Sequence, residues 1–184
     1  MGIPTLISTS TASNATSIDI TSGIDSTYDE YMFVMTDINP ATRRSQFEFQ
    51  VNAASQSGYN ETITSTAFVA YHYESGASSG LGYTTGQDQA QGTAFQDIAN
   101  ENDNDADSNI SGIIHLFNPS DTTYVKHFLV RTNVNCDGSD EHDDPFLYHF
   151  HVAGYINVTA AITDIQFKCS SGNFDGVVQM YGIS

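Results

Sequence analysis

Residues Pro145–Ser184 read PFLYHFHVAGYINVTAAITDIQFKCSSGNFDGVVQMYGIS. They divide into three β-strands separated by polar turns. In Ile162–Cys169 the apolar Ile162, Ile165 and Phe167 sit between Thr163, Asp164, Gln166 and Lys168. Apart from the step between Ile162 and Ile165, this is the period-two alternation of a strand with one face buried. The segment SSGNFDG then supplies a turn: Gly172 and Gly176 can take positive φ, and Asn173 and Asp175 tolerate it. The closing run Val177–Tyr181 is β-branched and aromatic, and is expected to be tied into a sheet.

The same pattern recurs towards the N-terminus. Thr123–Val134 (TYVKHFLVRTNV) is the longest β-pattern, and Ile110–Phe117 is a strand stopped by Asn118-Pro119-Ser120-Asp121. Phe68–Tyr73 reads as a strand, followed by a Gly/Ser loop around a short strand near Leu81–Tyr83. The region of Phe95 and Ile98 fits a short strand or a turn of helix. Phe47, Phe49 and Val51 alternate with Glu48, Gln50 and Asn52, the mark of a half-buried strand. Tyr28–Asp37 is a core strand ended by Asn39-Pro40, because proline removes a ladder donor.

About eight substantial strands, and no convincing amphipathic helix, predict an all-β fold: an antiparallel β-sandwich. Long connections among the early strands favour a jelly roll over an immunoglobulin-like Greek key, whose Cys and Trp landmarks are missing. Residues 1–27, rich in Ser and Thr, are expected to form a short N-terminal arm or edge strand, and 28–184 the sandwich domain.

Composition narrows the function classes. The chain has 184 residues, 39% of them hydrophobic, with 11 Phe and 10 Tyr, enough for a sizeable core. Five Lys and Arg face 22 Asp and Glu, a formal net charge of −17. Such a surface repels phosphate backbones and anionic membranes, so neither nucleic acid nor membrane is expected as a partner. It suits a salty medium, where screening shortens self-repulsion. No basic-plus-apolar leader and no apolar run of about 20 residues is present, so neither a secretory signal nor a membrane span is expected. The two cysteines, Cys136 and Cys169, lack a framework spacing and are expected as free thiols.

Several residue groups invite chemistry. Asp103, Asp105 and Asp107 have the D-x-D-x-D opening of a calcium loop, but Ser108 and Ile114 replace the glycine and glutamate of an EF-hand. A solvated acidic loop is expected there, with a looser β-loop calcium site as the alternative, and the same two readings apply to Asp137, Asp140, Glu141, Asp143 and Asp144. His149 and His151, two apart on a strand, point to one face, with His142 nearby. They could ligate a transition metal, but no carboxylate or thiolate is placed to complete the shell. A solvated strand face or a subunit interface is the commoner setting, and at an interface they would confer pH sensitivity. Ser, His and Asp are plentiful but follow no nucleophile-elbow, zincin or P-loop pattern, and Cys136 with His142 sits among acids that raise a thiol's pKa. No enzyme and no cofactor is expected. Tyr59, Tyr71, Tyr73, Tyr83 and His72 could stack on sugars, although strand tyrosines are more often half-buried or interface residues.

The segments IDSTYDEYMFVMTDINP, FEFQVNAASQSGYNETITSTAF, DQAQGTAFQ, HLFNPSDTTYVKHF and VAGYINVTAAITDIQFKCSSGNFDGVVQMYGIS resemble structural proteins of tailed phages from marine bacteria, from about Ile18 to Ser184. The resemblance implies a non-enzymatic virion protein on the outer surface of the capsid: a decoration (cement) protein whose partner is the major capsid protein. A receptor- or glycan-binding module of a tail or head fibre is the alternative. Shell junctions have local symmetry, so a homo-oligomer, a trimer first, is expected. An acidic protein docking on an acidic shell needs local attraction, which singles out Arg43, Arg44, Lys126, Arg131 and Lys168 as capsid contacts.

Overall fold

The structure, a computed structural model, describes residues 2–100, 103–136 and 144–184. Among them the chain forms strands joined by turns, with no helix long and apolar enough to cross a membrane. The first strands are β1 (Thr5–Ala15), β2 (Ser17–Ile20), β3 (Glu30–Pro40), β4 (Phe47–Ala53) and β5 (Ile63–Tyr73). Three short ones follow, β6 (Ser79–Tyr83), β7 (Ala90–Gly92) and β8 (Gln96–Ala99). The last are β9 (Ile110–Phe117), β10 (Lys126–Cys136), β11 (Phe146–Ile156), β12 (Ile162–Cys169) and β13 (Phe174–Ile183).

Two antiparallel sheets pack face to face as a β-sandwich. The larger has the order β1-β13-β3-β9-β10-β11-β5-β6, with β7 also paired to β5; the smaller is β2-β12-β4-β8. The chain enters the smaller sheet for one strand at a time, at β2, β4, β8 and β12, and returns to the larger sheet after each. Inward-facing aromatics join the layers. Phe49 meets Phe128 edge-on at 5.2 Å, Phe33 meets Phe167 at 5.8 Å, and Phe47 meets Phe174 at 5.4 Å. Each pair links one sheet to the other, so these rings supply both apolar burial and the geometry of the seam.

The irregular step read at Ile162–Ile165 has a structural cause. The β12–β4 register shifts between Ile162 and Asp164, a bulge that restores alternation from Ile165 onwards. Gly176 sits at a second shift, in β13, with φ 139°; an added Cβ would lie 2.6 Å from Ile38 Cδ1. Only glycine fits that position.

Of the two readings of residues 1–27, the structure has the edge strand: β1 pairs with β13 and β2 with β12, each at the edge of its sheet. Two expectations need correction. The strand expected at Phe68–Tyr73 begins earlier, at Ile63, because Ile63, Ser65 and Ala67 line the interior. Strand β4 is not half-buried but buried on both faces, since residues 57–62 and 93–95 cover its polar side.

Candidate functional site

The larger sheet outruns the smaller one. Its inner face is covered where the smaller sheet lies against it, whereas the outer face of β9, β10, β11 and β5 is open. In β10 burial alternates strictly: Lys126, Phe128, Val130, Thr132 and Val134 point inward, and His127, Leu129, Arg131, Asn133 and Asn135 are exposed. Pairing carries that outward row across the sheet. Leu129 lies between His115 and Ala153, and Arg131 between Ile113 and His151. Phe68 continues the second row beyond His151, and Ala70 lies beyond His149.

Two features set this face apart. The first is charge: β5, β9, β10 and β11 contain no Asp or Glu, although the chain has 22. The second is its makeup. Leu129 (48% exposed), Leu147 (47%) and Phe68 (42%) lie open among His72, His115, His127, His149 and His151, which all share the outer side. The small side chain of Ala153 leaves a shallow groove of about 370 Å³ between Phe68, Phe117, His115 and His151.

The histidines are held in place. His151 stacks on Phe68 at 4.6 Å, and its ring lies 4.4 Å from that of His149. His149 Nδ1 is 2.6 Å from Asn133 Oδ1. Burial, the neighbouring His151 and Arg131 together hold His149 below histidine's ordinary pKa. At the margin His115 Nδ1 lies 2.5 Å from Glu30 Oε1. His149 and His151 thus share a face as their spacing implied, while His142 lies outside the described residues. Among the described residues no group of three or more His, Cys, Asp or Glu could hold a metal ion.

Comparison of the chain with protein-family models, with curated proteins and with solved structures finds no match. The chemistry of the site is therefore read from its own residues.

The five cations do not converge. Arg43 grips Asp103 with two bonds, Nε to Oδ1 at 2.9 Å and Nη2 to Oδ2 at 2.7 Å. Arg44 is exposed in the same loop at φ 55°. Lys126 is fully buried, its Nζ donating to the carbonyls of Tyr124 (2.9 Å), Val158 (3.3 Å) and Thr159 (2.8 Å). It anchors loops rather than offering a charge to a partner. Lys168 pairs with Glu48 at 3.3 Å and lies 4.0 Å above the Phe95 ring. Arg131 alone of the five lies on the open face.

The aspartate triplet serves the fold. Asp103 is 1% exposed and is turned onto Arg43, while Asn39 Nδ2 donates to the Asp105 carbonyl at 2.8 Å. Asp105 and Asp107 are exposed on the strap these bonds hold. Asp137, Asp140, Glu141 and Asp143 lie outside the described residues, and Asp144 bonds Ser75. The tyrosines split between faces. Tyr71 and Tyr73 point inward with Tyr148 beyond the edge of the smaller sheet, His72 and Tyr83 point outward, and Tyr59 lies near Phe95. Neither cysteine is in a disulfide, and burial pushes Cys169 up to about 12, where it stays protonated at neutral pH.

One titratable cluster was not legible in the sequence. Glu48 in β4 faces Asp97 in β8 across the ladder and Lys168 in β12 on its other side. Burial, reinforced by Glu48, pushes Asp97 up to about 7.

Proposed function

We propose that this chain is a structural protein of a tailed-phage virion, a decoration protein on the outside of the head shell. The resemblance to marine phage structural proteins introduces that reading. The observation that carries it is the division of the surface: a chain of net charge −17 keeps four adjacent strands free of acid and leaves their apolar and imidazole side chains open. Aromatic and apolar groups without acids or lysines are the composition of a protein-contact face. A component built into a larger assembly has use for such a face. Decoration then acts by mass action, because a protein that binds only the assembled shell stabilises it over its parts. We read the connectivity as a jelly roll, in which β1-β13-β3-β9 faces β2-β12-β4-β8, elaborated by β5–β7 and by β10–β11.

The test is the copy number of this chain relative to the major capsid protein in purified virions, by quantitative mass spectrometry. A number of the same order as the capsid protein is expected. A handful per particle would move the chain to a tail or fibre and make a receptor- or glycan-binding module the better reading. The half-buried cluster of Tyr71, Tyr73 and Tyr148 would then be its binding surface, with Tyr71→Ala weakening saturable glycan binding.

A further inference from the structure

We propose that the open face of β9, β10, β11 and β5 is covered by the same face of a second copy of this chain, and that its histidines make the pair come apart in acid. This rests on the reading of the chain as an assembly component but not on the identity of the shell.

Three observations select a second copy as the occupant. Charge is the first. With 22 Asp and Glu on the chain, two copies that approach at random bring carboxylates together, whereas four adjacent long strands without acid offer an approach with little repulsion. At neutral pH the face has one formal charge of its own, Arg131, too few to recruit a strongly acidic partner. The second is area. Four strands spaced about 4.8 Å apart and up to about 36 Å long present roughly 700 Å² per copy, or about 1,400 Å² for a pair, within the range of specific interfaces. The third is shape. Leu129, near the middle of the face, stands beside the groove between Phe68 and His151. In an isologous pair each copy can set its Leu129 into the groove of the other.

Acid lability follows from the groups that face one another. His127, His149, His151, His115 and His72 lie on the contact face itself. His127 lies beside Tyr155, His149 and His151 beside each other and Arg131, and His115 beside Glu30. Among the described residues, other acids stand at the rim: Asp88, which accepts from Tyr83 at 2.6 Å, Glu74 and Asp144 at the ends of β5 and β11, Asp107 beside Asn135, and Asp37 beside Ser111. Of these described acids, Glu30 is the one set against an imidazole. Protonation therefore adds positive charge to both copies in the same buried layer, where like charges repel most. The sign is diagnostic. A pair of identical faces weakens in acid, whereas docking on an acidic partner strengthens.

Sedimentation velocity of the full chain tests this. At about pH 7.5 a species of twice the 20.0 kDa chain mass is expected, with the dissociation constant rising more than about tenfold by about pH 5. Leu129→Glu with Phe68→Glu should give a monomer at both pH values with an unchanged circular-dichroism spectrum, since both residues are already exposed. Leu147→Lys, at the far end of the face, serves as an independent disrupting variant should that pair misfold. Replacing His127, His149 and His151 together by Gln should keep the dimer in acid. A monomer at neutral pH, a dimer that survives the disrupting variants, or association that tightens in acid would each overturn the proposal. The decoration reading fails separately: a dimer absent from virions overturns that reading alone, and a virion-bound monomer overturns this one alone.

Discussion

Strands β4 and β10 carry the same alternating pattern and meet opposite fates. In β4 every residue is buried, and the polar ones are consumed internally. Gln50 Nε2 donates to the carbonyls of Glu61 at 2.9 Å and Ala94 at 3.0 Å, Asn52 Oδ1 accepts from the Tyr59 amide at 2.8 Å, and Glu48 pairs with Lys168. In β10 the outward side remains open although it includes Leu129. Alternation reports that the two sides of a strand differ. It does not report whether the polar side meets water, or whether the other elements of the fold reach the apolar residues among it. The side the chain covers with its own loops becomes structure, and the side it leaves open is where function is to be sought.

The largest effect that would sharpen this contrast is at the seam. Phe167 contacts Phe33, Phe47 and Phe49, and Phe167→Ala should cost about 3–5 kcal/mol in urea unfolding. Leu129→Ala, measured on the monomer, should change stability by less than about 0.5 kcal/mol. A large loss at Leu129 in the monomer would mean that the open face is part of the core after all.

Two cations on the two sides of β10 give the next comparison. Lys126→Met strands the carbonyls of Tyr124, Val158 and Thr159 and should destabilise by about 1–3 kcal/mol. Arg131→Met, five residues along and outward, should stay within about 0.5 kcal/mol in the monomer. Equal effects would remove the distinction between the sides.

The covered side of β4 has its own pH signature. Asp97 binds a proton more tightly folded, with a pKa near about 7, than unfolded, near about 3.9. Its contribution is thus complete below about pH 4 and is lost as pH rises through about 7. Asp97→Asn should raise stability at about pH 8 by about 1–3 kcal/mol and flatten the profile between about pH 4 and 7. Thermal melts across that range check it; a profile unchanged by the substitution would show that Asp97 is ionised without penalty. The smallest expected effect is at Asp105, exposed on the strap that Arg43 and Asn39 hold. Asp105→Asn should leave the melting temperature unchanged with or without calcium, and a calcium-dependent rise in the wild type alone would reinstate the metal site.

Much of the fold was readable because strands announce themselves through local alternation and turn chemistry. Ile110–Phe117 matches β9 end to end, and Gly172 and Gly176 take the positive φ their turn demands. The strand at Phe95–Ile98 stayed undecided because its short apolar pattern fits two periods, and pairing with β4 made it β8. The Ser- and Thr-rich N-terminal residues pair as edge strands because β13 and β12 offered unpaired ladders.

The site was readable in part. That His149 and His151 share a face follows from their spacing alone, and the absence of acid from each of four segments is visible in the letters. The sequence by itself determined the all-β class, the strand alternation and the charge of −17. Only the tertiary structure decided that the four acid-free segments lie side by side, that Lys126 is buried while Arg131 is not, and that Asp97 meets Glu48. Alternation acts over neighbouring residues, whereas adjacency across a sheet joins positions such as Phe68 and His151, far apart in the chain, and is set by which apolar faces can be buried together.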